Sequence, residues 1–164
     1  MTNNDLLRRL RYTFDYNDDK MISIFSLGEY EATRSDISNW LKKEEDPDYS
    51  NCTDFQFASF LNGLINEKRG KKDGPQHAAE KRLTNNLILR KLKIALDLKD
   101  DDVIHIMDLA QLTMSKHELS AFFRKPGHKN YRECKDQILR NFLKGVQTKY
   151  HQSKDSVADS KWNG

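Results

Sequence analysis

The sequence has few of the residues that interrupt helices or cross-link chains. Its 164 residues include seven glycines, three prolines and two cysteines. Scarce glycine and proline favour helices over the many tight turns of a β-sandwich or barrel. Two cysteines are too few for a disulfide scaffold, so we expect both thiols to be reduced.

Long apolar stretches are also missing. No run approaches the roughly 20 apolar residues of a membrane span, and Arg8 interrupts the N-terminal residues too early for a signal peptide. We therefore expect a cytoplasmic protein that does not contact the membrane. The composition, 37% hydrophobic and 32% charged, is polar but still sufficient for a core.

The chain does contain one segment that occurs twice in similar form. Residues 2–22 read TNNDLLRRLRYTFDYNDDKMI, and residues 84–104 read TNNLILRKLKIALDLKDDDVI. An offset of 82 residues aligns 2–69 with 84–151 without a gap and gives 20 identical pairs. The identical residues are chemically diverse, so the chain holds two copies of one unit rather than a low-complexity segment.

Apolar residues at helical spacing predict four helices in each copy. In the first copy these cover about 4–14, 18–28, a third helix that starts after Thr33, and 53–67. The matching helices of the second copy cover about 86–96, 100–110, a third helix after Ser115, and 135–149. We expect an all-α fold of two homologous four-helix units in tandem, packed about a pseudo-twofold axis.

Polar residues mark where these helices begin. Residues 2–4, Thr-Asn-Asn, can accept hydrogen bonds from the first backbone N–H groups. Thr33 with Asp36, and Ser115 with Glu118, fit a capping box.

Gly63 and Gly145 lie inside the fourth helix of their copies, where glycine costs about 1 kcal/mol relative to alanine. The same exception in both copies predicts a close helix crossing that leaves no room for a side chain. The domain boundaries follow from the repeat: repeat 1 over 1–67, a polar linker over 68–83, repeat 2 over 84–151, and a disordered tail over 152–164.

Charge is divided unequally between the copies. Residues 1–70 carry nine Lys and Arg against thirteen Asp and Glu, a net charge of −4, whereas residues 84–151 carry thirteen against eight, a net of +5. An acidic repeat 1 could attract a basic repeat 2 within one chain, or between chains in a homo-oligomer. A basic repeat 2 could instead attract DNA or RNA.

The sequence shows no catalytic pattern. The five histidines fit no metal-ligand spacing, and Cys52 and Cys134 are equivalent positions that we expect to be small buried hydrophobic residues. We therefore predict no enzymatic activity, no cofactor and no metal. The basic residues beside the first helices, Arg8, Arg9 and Arg11 in repeat 1 and Arg90, Lys91 and Lys93 in repeat 2, are expected to be solvated or to contact phosphate.

The second and third helices of each repeat form a pair that resembles a helix-turn-helix. If Ile37 and Trp40 face inward, the third helix presents a polar face of the residue types that contact phosphates and base edges. The same face is available to a protein partner. The candidate nucleic-acid or partner surface consists of Arg34, Ser38, Asn39, Lys42, Lys116, His117, Ser120 and Arg124.

Four segments carry a family resemblance: NNDLLRRLRY, DDKMISIFSLG, SDISNWLKKEEDPDY and FLNGLINEKRG. In this order they resemble the YehS-like family of uncharacterised bacterial proteins, which is a duplicated domain of unknown function. The resemblance covers about residues 2–151 and implies a bacterial, cytoplasmic protein. It implies no activity, cofactor or active site.

We predict a regulatory or protein-interaction module whose protein partner the sequence does not name. The alternative is a nucleic-acid-binding protein that uses the third helix of each repeat.

Overall fold

The computed structural model describes the backbone of residues 1–162 and the side chains of residues 1–151. Over that part the chain is all-helical, as predicted, with eight helices in two sets of four. They are α1 (Asn3–Phe14), α2 (Asp18–Leu27), α3 (Arg34–Leu41), α4 (Asp54–Arg69), α5 (Asn85–Ala95), α6 (Asp100–Leu109), α7 (Lys116–Ala121) and α8 (Asp136–Trp162). The disordered tail predicted over 152–164 lies outside the residues whose side chains are described.

Side-chain caps set the starts of these helices. The hydroxyl of Thr33 accepts from the backbone N–H of Asp36 at 3.0 Å, and the Asp36 carboxylate accepts from the backbone N–H of Thr33 at 2.9 Å. Ser115 and Glu118 form the same reciprocal pair at 3.1 and 3.3 Å. Both predicted capping boxes are confirmed, and each satisfies a backbone donor that the first helical turn leaves free.

The Thr-Asn-Asn segment was predicted to cap the first helix with all three side chains, but only its threonine is a cap. Asn4 is 1% exposed. Its amide donates to the carbonyls of Trp40 at 3.0 Å and Ser50 at 2.9 Å, and its oxygen accepts from the Cys52 N–H at 3.0 Å. Asn3 donates to the Cys52 carbonyl at 3.1 Å. Once inside the helix, these side chains point away from its N-terminal N–H groups and instead fasten α1 to the segment before α4.

The chain separates into two compact units that do not coincide with the two sequence repeats. The first runs from Met1 to Asp97 and holds α1–α5, and the second begins at Leu98. In the first unit α4 packs against both α2 and α5, while α3 packs against α1 and α2. In the second unit α6 packs against α8 and α7. The domain boundaries drawn from the repeat stay a prediction.

Aromatic rings fill the core of the first unit. The ring of Phe25 lies 5.2 Å from that of Trp40 and 5.1 Å from that of Phe60, measured between centroids. Phe57 stacks on Phe60 at 6.3 Å. All four side chains are buried. These contacts hold α2, α3 and α4 together and leave the opposite face of α3 toward solvent.

The predicted glycine crossing occurs in both repeats. A methyl group at Gly63 would lie 2.8 Å from the carbonyl carbon of Ile24 and closer still to its oxygen. A methyl group at Gly145 would lie 2.8 Å from the carbonyl carbon of Ile106, the residue equivalent to Ile24. The prediction is confirmed, and the second helix of each repeat crosses the fourth with its backbone against glycine.

The chain also turns in the same way at equivalent helix ends. Asp15 and Asp97 adopt φ angles of 55° and 53°, and Glu29 and Gln111 adopt 64° and 63°. These are left-handed conformations, in which a residue with a Cβ is strained relative to glycine. The duplication has therefore preserved backbone conformation even where Glu29 and Gln111 differ.

Candidate functional site

The predicted surface on α3 is presented as expected. Ile37 and Trp40 are buried, while Arg34 and Ser38 are exposed and Asn39 is half-buried. The helical period of 3.6 residues produces this division, because positions three apart fall on one side. The residues proposed from repeat 1 therefore lie together at one face of the first unit.

The first residue of each third helix is a cation, and in both repeats this cation forms an ion pair. The Arg34 guanidinium pairs with the carboxylate of Asp19 and lies 3.9 Å from that of Asp18. At the equivalent positions, Lys116 Nζ lies 3.1 Å from the Asp101 carboxylate. Each pair joins the first turn of the third helix to the first turn of the helix before it. The side chains are more than 60% exposed, so each pair contributes at most about 1 kcal/mol to stability.

Local contacts also hold the far end of α3. Lys42 is the first residue after the helix, and its Nζ lies 3.0 Å from the Asn39 side-chain oxygen and 3.7 Å from the Asp48 carboxylate. The Arg8 guanidinium donates to the carbonyls of Leu41 at 3.4 Å and Lys42 at 3.1 Å. Arg8 thus satisfies carbonyls at the C-terminal end of α3, where a cation is favourable.

In repeat 2 the predicted surface is partly revised, because α7 ends at Ala121. His117 is exposed and half-buried Ser120 donates to its carbonyl at 2.9 Å, as a helical face requires. Arg124 follows the helix instead of lying on it. Its side chain is half-buried, and its buried Nε has no hydrogen-bond partner among the described residues. The last turn of α7 is tighter than an α-helix, because the backbone N–H groups of Phe122 and Phe123 donate to the carbonyls three residues earlier, those of Leu119 and Ser120, each at 3.1 Å.

The two cysteines lie in the core, as expected. Burial, with a smaller contribution from Asp54, raises the pKa of the Cys52 thiol to about 12. Burial, followed by Asp136, raises the pKa of Cys134 to about 11. A nucleophilic cysteine is favoured by a lowered pKa, so the raised pKa values of both thiols disfavour a nucleophilic role.

Among residues whose positions are described, no three His, Cys, Asp or Glu side chains come together as metal ligands would. In the same part of the chain no helix has the length and apolar content needed to cross a membrane.

The expectation that Lys91, like Arg90 and Lys93, is solvated or contacts phosphate is wrong for Lys91. Its side chain is buried, with only 4% of the residue exposed. It lines a cavity of about 440 Å³ within the first unit, between α4, α5 and the linker. One feature of the sequence indicates that this region differs from the rest of the fold. Residues 70–83 of the linker fall between the aligned copies and are not repeated.

Comparison with known proteins gives two matches. Residues 3–70 and 85–151 each match the model of a family described as "Protein of unknown function (DUF1456)". The chain is also 44% identical over 155 residues to the uncharacterized protein YehS of Escherichia coli (strain K12), covering 94% of this chain and 99% of that protein. No solved structure matches at a significant level. The duplication and the YehS-like resemblance are both confirmed.

Proposed function

We propose that this chain, which belongs to the DUF1456 family of proteins of unknown function, is a cytoplasmic interaction module. The proposal depends on the residues of the chain itself. In this proposal it is not an enzyme. It binds a protein partner through the α3 surface, which we define as Arg34, Ser38, Asn39 and Lys42 with the acidic residues paired to them.

The observation that carries this proposal is the repeated ion pair. Arg34 and Lys116 each face a carboxylate of their own unit, so neither presents an uncompensated charge. Phosphate binding depends on cations that are free to replace counterions. A surface of alternating signs instead complements another protein surface, where charges select the partner and fix the register.

The remaining charges around α3 follow the same alternation. Lys42 lies near Asp48 and Arg8 near Asp5, at 3.7 and 3.1 Å, and repeat 1 as a whole is acidic. This negative balance opposes approach of a polyanion to α3. The buried thiols, whose pKa values are raised, supply no nucleophile and support a binding role over catalysis.

A second candidate function, nucleic-acid binding, applies to repeat 2. Its net charge is +5, and His117 and Lys116 are both exposed on α7. The Lys116 to Asp101 pair is open to solvent, so a phosphate could displace the carboxylate. DNA or RNA would then contact repeat 2 alone rather than two equivalent third helices.

Site-specific photo-crosslinking separates these candidates. A photoreactive amino acid replaces Ser38, the equivalent Ser120, or Ser26 as an exposed control on α2. We expect nuclease-resistant adducts of discrete mass from the Ser38 position and none from the control. If the partner is a second copy of the chain, the adduct has twice the monomer mass. Equal labelling from all three positions contradicts a specific α3 surface.

Mobility-shift titration tests the alternative directly. The proposed function predicts no shift of random DNA or RNA fragments at low salt. A shift that weakens steeply with salt, and that Lys116→Ala and Arg124→Ala abolish without loss of helical signal, would instead establish the nucleic-acid function. Arg34→Ala is the matched control, because it changes the equivalent position in repeat 1.

A further inference from the structure

The cavity beside Lys91 has the size and lining of a small-molecule site. Its volume of about 440 Å³ lies within the range typical of ligand pockets, about 300–1,000 Å³. Leu27, Ile65, Leu87 and Ile94 form apolar parts of its wall, and polar groups of Lys91 and other residues line the rest. The whole lining belongs to the first unit and lies apart from the α3 surface.

Lys91 supplies a buried hydrogen-bond donor to this cavity. Its Nζ lies 2.5 Å from the side-chain oxygen of Asn62 and 3.0 Å from Oε1 of Glu80. An ammonium group carries three N–H donors; Asn62 accepts a hydrogen bond from one of them, and Glu80 contributes an ion pair without a hydrogen bond. A charged group buried to this degree gains from every additional partner, so the remaining donors favour an acceptor inside the cavity.

Glu80 supplies an acceptor next to that donor. Its Oε1 is buried and makes no hydrogen bond, because the approach of Lys91 is close enough for an ion pair but poorly directed for a hydrogen bond. Its Oε2 lies 3.7 Å from Nε2 of His77. Oε1 therefore remains available to an N–H or O–H group placed beside the Lys91 ammonium.

Side-chain amides hold this polar edge in position. Asn62 donates to the His77 carbonyl at 3.3 Å, and Asn66 donates to the Leu27 carbonyl at 2.8 Å and to the Gln76 side chain at 3.3 Å. These bonds attach the linker, which carries Glu80, to α4 and the end of α2. A site whose polar groups are fixed in advance loses less entropy when a ligand binds.

The charges on this edge select the class of ligand. An anion would face Glu80, and a cation would face Lys91 and Arg90, which also lines the cavity, whereas a neutral group with an acceptor next to a donor satisfies both Lys91 and Glu80. We propose that the first unit binds a small neutral molecule here, one that joins an apolar body to an amide-like edge, as primary aromatic amides and nucleobases do. The acceptor of that edge meets Lys91 and its donor meets Glu80.

Among the residues whose side chains are described, the second repeat does not reproduce this site, although the fold is duplicated. Arg9 and Lys144 occupy the positions equivalent to Lys91 and Asn62, and Glu80 lies outside the aligned copies. This inference goes beyond the proposed partner surface, because it uses none of the α3 residues. The duplication also provides matched control positions for a test.

The test titrates the full-length protein with benzamide and records the side-chain amide resonances of Asn62, Asn66 and Gln76 by nitrogen–proton NMR. We expect saturable shifts at about millimolar concentrations, typical of a fragment-sized ligand. N,N-Dimethylbenzamide, which has no donor, and benzoate, which is an anion, should each bind at least tenfold more weakly. Equal binding of benzoate overturns the neutral class, and no saturable shift with benzamide, adenine or uracil overturns the site.

Variants identify the residues responsible. Lys91→Met and Glu80→Gln should each weaken benzamide binding tenfold or more, while Arg9→Met, at the equivalent position of repeat 1, should leave it unchanged. Leu87→Phe fills the cavity and keeps both charges, so it should abolish binding if the buried-charge variants fail to fold. Unchanged binding in Leu87→Phe contradicts the proposal. None of these variants alters α3, so crosslinking from Ser38 reports on the proposed function separately.

Discussion

Replacing Gly63 by alanine tests how closely α2 and α4 approach. The added methyl group would lie 2.8 Å from the carbonyl carbon of Ile24 and 3.1 Å from the backbone nitrogen of Gly28. Carbon atoms in good contact are about 3.5–4.0 Å apart, and the carbonyl oxygen of Ile24 lies closer than its carbon, so the helices must separate by more than about 1 Å. The obstacles are backbone atoms, and no change of rotamer removes them.

The size of the effect follows from two opposing contributions. Alanine is about 1 kcal/mol better than glycine in a helix interior. Against this, overpacking a core costs about 1–3 kcal/mol, and here the displacement also loosens the fully buried rings of Phe25 and Phe60. Because neither backbone can yield alone, we expect a cost at the upper end of this range, and the free energy of unfolding should fall by about 2 kcal/mol once the helix gain is subtracted.

Urea denaturation measures this change. Fluorescence of the buried Trp40 reports on the first unit when Trp162 is replaced by phenylalanine in every protein compared. With a urea dependence of about 1–3 kcal/mol per molar, a loss of about 2 kcal/mol should lower the midpoint by about 0.7–2 M. Ser38→Ala, on the exposed face of α3, is the control and should stay within about 0.5 kcal/mol. An unchanged or higher midpoint for Gly63→Ala would refute the close crossing.

Three further predictions concern other parts of the fold. Asn4→Ala should lower the free energy of unfolding by about 3 kcal/mol in the same assay, since three backbone groups lose their partner and two of these hydrogen bonds are buried. Glu29→Gly should raise it by about 1 kcal/mol, because glycine adopts the positive φ without strain, and a decrease would contradict this. Raised thiol pKa values mean that the folded protein keeps protons which the unfolded chain loses, so the stability contributed by Cys52 and Cys134 is complete below pH 9 and declines toward pH 11–12. Replacing Cys52 by alanine should reduce the decline of the Trp40-reported urea midpoint above pH 9 and leave the part that comes from Tyr16, whose pKa burial raises to about 12; an unchanged decline would contradict this.

The helices were predictable because their signals are local. Thr33 and Ser115 each start a helix through atoms three residues away, and the apolar spacing needs only one face of a helix. Gly63 was informative because it broke the rule for helix interiors at the same place in both copies, which points to a packing requirement. Arg124 lies beyond α7 because the chain leaves the α-helix through tighter turns at Phe122 and Phe123, and the apolar spacing of these two residues does not reveal where the helix ends.

Lys91 could not be assigned correctly from its neighbours in sequence. It lies between Arg90 and Leu92 in a helix whose pattern permits either an exposed or a buried lysine. Its burial depends on Asn62, 29 residues earlier, and on a linker without periodic apolar residues. Such nonlocal partners appear only when the chain is folded, and the same is true of the carboxylates that pair with Arg34 and Lys116.

The membership of α5 in the first compact unit limits how the molecule can be divided. A fragment that stopped at the end of repeat 1 would expose the side of α4 against which α5 packs, and it would also lose Lys91 as the partner of Asn62. The smallest fragment with a complete first core therefore runs to Asp97, well beyond the repeat. The helix that completes the first core therefore comes from the second sequence repeat, so the chain cannot be divided at the boundary between the repeats without exposing one side of α4.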